Sequence, residues 1–193
     1  MFKDLVKKDR SYRGFDESCQ VTREQLEEMV DCTRYCPMGT NIQPLRYYLA
    51  CDSEIVGKIQ PITKWGMLLP EEHFPHEGHR PTAFIVICQD LSVHQSIPKF
   101  QKEVGIAAQT ILLCATEMGL GGCMIGNFNA GELKRALSLP EEMAPQLVLG
   151  IGKPDETIVV QEVGLEESTN YYRDENGVHY VPKRRLRDII IPE

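Results

Sequence analysis

The segment Ala83-Phe84-Ile85-Val86-Ile87-Cys88-Gln89, bounded by Pro81 and Asp90, most restricts what this chain can become. A run this short, this apolar and this rich in branched side chains reads as a strand covered on both faces. The chain must therefore place layers on either side of a sheet. The longest helical pattern follows, from about Pro98 to Met118, with the stripe Val104, Ala107, Ala108, Ile111, Leu112, Ala115 and Met118, and Gly119 as its carboxyl cap. Gly105, Ala107 and Ala108 are small enough to let another helix approach closely, which suits a dimer seam.

Thr22 and Gln25 form a capping-box pair ahead of Leu26, Met29, Val30 and Thr33, and Pro37 stops that helix. Residues 38–44 read as a turn-rich loop, 45–51 as a strand, and Ser53-Glu54 as the start of a shorter helix. Residues 61–81 dissolve into Pro, His and Gly around Trp65, a variable loop of the length that usually carries function. Residues 120–126 form a glycine-punctuated strand, Asn129 with Glu132 starts a short helix, and 146–152 form another strand. Strand character continues at 157–163 and 178–181. The tail, 182–193, ends in three isoleucines and is expected to pack on the core or on a partner. The pattern predicts one α+β domain over 1–193: a central mixed, mainly antiparallel sheet covered by helices.

A net charge of −7 excludes the wide positive face that nucleic acid or an anionic membrane requires. No apolar run approaches the roughly 18 residues of a membrane span, and residues 1–13 are too charged for a secretion signal. The seven cysteines are odd in number and several lie inside apolar runs, so they read as reduced core residues of a cytoplasmic protein.

Positive charge is nonetheless concentrated at the two ends of this acidic chain. Arg10 and Arg13 flank Ser11, and Lys183, Arg184, Arg185 and Arg187 cluster near the other end. Arginines so spaced, with a hydroxyl between them, suit a phosphate dianion that a lysine from another segment completes; two solvated basic turns are the alternative. Leu120-Gly121-Gly122-Cys123-Met124-Ile125-Gly126 either lets a flat ligand approach the backbone or is a plain bulged strand.

Arg10-Ser11-Tyr12-Arg13, the segment Cys36-Pro37-Met38-Gly39-Thr40-Asn41-Ile42-Gln43-Pro44-Leu45-Arg46, the 105–126 helix-and-strand block and the basic tail resemble, in this order, the nitroreductase family of flavin-dependent oxidoreductases. The resemblance implies a nitroreductase-like homodimer with FMN at its interface, and ping-pong hydride transfer from NADH or NADPH through flavin N5 to a small planar acceptor such as a nitroaromatic or a quinone. It also implies cofactor contacts from Arg10, Ser11 and Arg13; from Pro37, Met38, Asn41 and Gln43, typically across the interface; from Met124, Ile125 and Gly126; and from Lys183 and Arg185 on the phosphate. Met38 stands where many members carry serine, and Met124 where many carry an aromatic residue.

Because the flavin supplies the chemistry, no protein nucleophile or metal is expected. Trp65 either lids the substrate pocket or anchors its loop. Two other readings remain: a flavin-binding storage or sensor module with little turnover, and a zinc-dependent hydrolase built on His73, His76 and His79.

Overall fold

The computed structural model describes residues 1–192. Its elements run α1 (Phe2–Lys8), β1 (Phe15–Asp16), α2 (Arg23–Asp31), β2 (Leu45–Ala50), α3 (Ser53–Ile59), β3 (Ala83–Asp90), α4 (Gln101–Glu117), β4 (Gly121–Ile125), α5 (Ala130–Ala136), β5 (Met143–Pro154), β6 (Ile158–Val163), β7 (Tyr172–Arg173) and β8 (His179–Arg184).

β3 and β5 form the middle of the main sheet, with β2 outside β3, and β4 and β1 both on β5. Every strand pairing in this sheet is antiparallel, as the mainly antiparallel sheet expected above requires, and the parallel pairing, β6 with β8, lies in a separate small sheet completed by β7. All of β3 is buried because alternate side chains enter two cores. Ile85 and Ile87 meet Leu26, Met29, Val104, Ile111 and Leu149 beneath α2 and α4. Phe84, Val86 and Cys88 meet Ile59, Leu133 and Val148 beneath α3 and α5. This explains why the run shows no alternation of polarity.

The capping signals operate as read. Thr22 and Gln25 exchange both bonds of the capping box. At the end of α4 the Gly119 N–H donates to Thr116 O and the Leu120 N–H to Ala115 O, with Gly119 at φ +75°, the left-handed turn that glycine adopts without strain. That cap aims the chain directly into β4. The three isoleucines of the tail do not pack on the core of their own chain: Ile189, Ile190 and Ile191 are 64%, 59% and 91% exposed. Among the described residues no helix is long and apolar enough to cross a membrane.

Candidate active site

The turn after α1 is held against β4 by the backbone. Ser11 forms a parallel bridge to Gly122, and the Tyr12 N–H donates to Gly122 O at 3.0 Å. A Cβ on Gly121 would lie 2.6 Å from the Tyr12 ring, and one on Gly122 would lie 2.6 Å from Gly150 O. These two glycines therefore admit the amino-terminal turn and the neighbouring strand, in a stretch the sequence left open between approach of a flat ligand and a plain bulged strand; Gly126 has open space around it.

Glu156 fixes the other side of the turn. Its carboxylate accepts from the N–H groups of Arg13 and Gly14 and pairs with Arg173. Both charged side chains of that pair are largely enclosed, 4% and 13% exposed. The two charges compensate each other away from solvent, and the bond to the Arg13 N–H fixes the backbone that carries the Arg13 side chain.

Between the turn, α4, β4 and β8 lies a cavity of about 360 Å³ lined by Arg10, Ser11, Arg13, Gln109, Met124 and Lys183, together with Asp9, Leu112, Tyr171, His179 and Val181. The two ends of the chain thus meet, as the cation spacing suggested. Arg13 lies over the Tyr171 ring, 4.7 Å from its centroid, and donates to Ser11 O at 3.2 Å. Its Nε is buried and has no partner among the described residues. Arg10 is braced by the Val6 and Asp9 carbonyls. Asp9 accepts a 2.5 Å hydrogen bond from Gln109; burial raises its pKa, and the Gln109 bond and Arg10 oppose the rise.

His179 is fully buried and stacks on Tyr171 at 5.2 Å. Burial first, then the positive charges of Arg13 and Arg173, push its pKa down to about 4. Asp9, Gln109, Tyr171, His179 and Glu156 were not singled out from the sequence. None belongs to a local motif that the sequence could have flagged.

Other predicted residues lie elsewhere. Arg185 is outside this cavity, 3.8 Å from Glu167, in a separate surface recess of about 570 Å³ with Arg187 and Ile190. β8 ends at Arg184, and Lys183 lines the Arg10–Arg13 cavity while Arg185, just past the strand, does not. Ile125 turns into the second core, as strand alternation requires once Met124 faces the cavity. Trp65 is an anchor: it donates to Thr63 at 2.9 Å, meets Phe15 edge-on and fills the space above Gly150.

Met38, Asn41 and Gln43 line a different cavity of about 410 Å³, and Pro37 enters neither. Thr40, Asn41 and Gln43 all have φ between 53° and 54°. Three left-handed non-glycine residues within four positions store strain of the kind that accumulates at functional loops, roughly 1–3 kcal/mol each. Glu103, buried on α4, accepts from the Gly39 N–H at 3.1 Å and ties that loop down.

The three histidines of the long loop do not converge. His76 faces Glu72 at 3.4 Å, His79 faces Asp155 at 2.9 Å, and no group of three metal-ligating side chains forms among the described residues. A further cavity of about 590 Å³, walled by Val56, Gln60, Phe74 and Arg80, lies beside the second core and includes no predicted residue.

Comparison with known proteins agrees with this geometry. The model of the nitroreductase family matches residues 6–153. An iodotyrosine deiodinase of Thermotoga neapolitana is 25% identical over 173 residues, covering 81% of this chain and 90% of that protein. The crystal structure of a nitroreductase family protein from Clostridium difficile 630 superposes with a TM-score of 0.64 at 25% identity, covering 81% of this chain and 86% of that one. That of the NADPH:FMN oxidoreductase of Vibrio harveyi in complex with NAD+ superposes at 0.62 with 24% identity, covering 80% and 69%.

The antiparallel sheet and its two helical layers, joined to these likenesses, define an oxidoreductase of the nitroreductase type. The chain belongs to the nitroreductase family.

Proposed function

We propose that this oxidoreductase binds FMN, takes a hydride from NADH or NADPH, and passes reducing equivalents in ping-pong order to a small planar acceptor such as a nitroaromatic or a quinone. The observation that carries the proposal is the meeting of Arg10, Ser11 and Arg13 with Lys183 around one cavity, with the Arg13 Nε buried and without a partner among the described residues. A buried donor without an acceptor costs about 1–3 kcal/mol, and a phosphate oxygen is an acceptor that removes that cost.

When bound, FMN supplies hydride acceptance and release, which no side chain of this chain offers. Arg10, Arg13 and Lys183 hold the phosphate through charge-assisted hydrogen bonds, and the Ser11 hydroxyl contributes a neutral one. Leu112 and Met124 provide apolar surface for the ring system. Gln109, its amide anchored by Asp9, borders the same surface. Pro37, Met38, Asn41 and Gln43 reach the cofactor from a second copy of the chain.

Two observations favour that second copy. The chain exposes 11168 Å², against about 9,300 Å² for a compact monomer of its mass. Phe2, Tyr35, Met67 and Ile106 are among its exposed apolar residues, and Ile106 lies next to Gly105 on α4.

The test is anaerobic mixing of the FMN-loaded protein with NADPH and with NADH. The flavin's visible absorbance should bleach and then return on addition of a quinone or a nitroaromatic. A spectrum unchanged by either nicotinamide would leave a flavin-binding module with little turnover and refute the enzymatic reading.

A further inference from the structure

His179 belongs to none of the motifs that led to the cavity, yet it is the most deeply enclosed polar side chain on its wall. Its place is well determined. The backbone N–H donates to Thr157 O at 2.9 Å, β8 runs in parallel register with β6, and the ring stacks on Tyr171, whose hydroxyl accepts from the Leu68 N–H at 3.1 Å.

The ring Nε2 lies 3.4 Å from Arg13 Nη1. A guanidinium carries donors only, so Nε2 is the accepting nitrogen. Burial and the two neighbouring arginines keep the ring neutral, with a pKa pushed down to about 4. A neutral imidazole that accepts at Nε2 bears its proton on Nδ1. Nδ1 is buried and has no partner among the described residues. The Arg13 Nε is in the same condition. Two unsatisfied donors, brought from opposite ends of the chain to the wall of one cavity, call for an occupant with at least two acceptor oxygens.

We infer that His179 donates its Nδ1–H to a phosphate oxygen of the bound cofactor, and that it thereby selects the phosphorylated flavin over the unphosphorylated one. The inference rests on the FMN reading above. By accepting at Nε2, His179 also orients the Arg13 guanidinium, so that cation and neutral donor address the same anion.

The test is titration of the apoprotein with FMN and with riboflavin, followed by quenching of flavin fluorescence. His179→Phe keeps an aromatic ring against Tyr171 and removes both nitrogens. It should weaken FMN binding about ten- to a hundredfold and leave riboflavin binding within about twofold. His179→Asn, whose amide N–H falls near the Nδ1 position, should recover most of the loss. Unchanged FMN affinity in His179→Phe, or equal losses for both flavins, would overturn the inference.

Nitrogen NMR of the imidazole in the unsubstituted protein decides the matter without any variant. At neutral pH the proton should sit on Nδ1 and shift downfield on addition of inorganic phosphate; a proton on Nε2 overturns the inference. Failure of the unsubstituted protein to bind FMN would refute the cofactor reading separately, because the tautomer and its response to phosphate are measured in the absence of flavin.

Discussion

Arg13→Met removes one positive charge from the cavity, the guanidinium that lies over Tyr171, while keeping an unbranched apolar stem. Two consequences can be worked out from the structure. A charge-assisted hydrogen bond to phosphate contributes about 1.5–3 kcal/mol, so FMN should bind about ten- to 150-fold more weakly. The second consequence appears on His179, whose pKa is held at about 4 by burial first and by Arg13 next. Removal of Arg13 should raise that pKa toward, but not to, the ordinary 6.5, because burial and Arg173 remain.

The change also alters stability. Between pH 4 and 6.5 the unfolded chain binds a proton at this histidine that the folded chain excludes. Stability therefore rises with pH across that window, and acidification removes up to about 3 kcal/mol. Asp9 acts in the opposite sense, since its raised pKa favours the folded state at low pH. The difference between Arg13→Met and the unsubstituted protein isolates the histidine. Urea unfolding at pH 7 and at pH 4.5 should show a smaller acid loss in the variant, and an NMR titration should show the raised pKa. A His179 pKa unchanged by the substitution would refute the placement of Arg13 beside it, and unchanged FMN affinity would remove Arg13 from the phosphate site.

Other positions give independent checks. Glu156→Gln leaves Arg173 as an uncompensated, largely buried charge and should lower the free energy of unfolding by about 3–5 kcal/mol in urea. Gly122→Ala sets a methyl group 2.6 Å from a backbone oxygen that cannot move aside, and should cost about 1–3 kcal/mol by thermal unfolding while loosening the Arg10–Arg13 turn. Burial pushes the Cys88 and Cys123 thiols up to about 12 and about 11. Iodoacetamide at pH 8 should leave both unmodified in the native protein and label them after unfolding, as peptide mass mapping would read.

The legible parts of this fold were those governed by local rules. The 83–89 run, the Thr22–Gln25 box and the Gly119 cap each depend on neighbours within a few residues, and each appears where the pattern placed it. The cations at the two ends were legible as charge anomalies, and the family resemblance joined them into one site. Long-range packing was not legible. The space under Tyr12 that only Gly121 and Gly122 leave free, the Glu156–Arg173 pair and the His179–Arg13 contact all join segments more than 15 residues apart. Single residues such as His179 and Gln109 carry no signature until the chain has folded. Arg185 shows the converse: its sequence matched the basic tail, but the turn after β8 carries it to Glu167.

The central claim concerns where a phosphorylated flavin lodges, and a crystal structure of the protein grown with FMN tests it most directly. Phosphorus density should lie within hydrogen-bonding reach of Arg10, Arg13 and Lys183, with His179 beside it. A flavin seated in the recess between Val56 and Arg80, or a phosphate pointing away from the Arg13 side chain, would contradict the account.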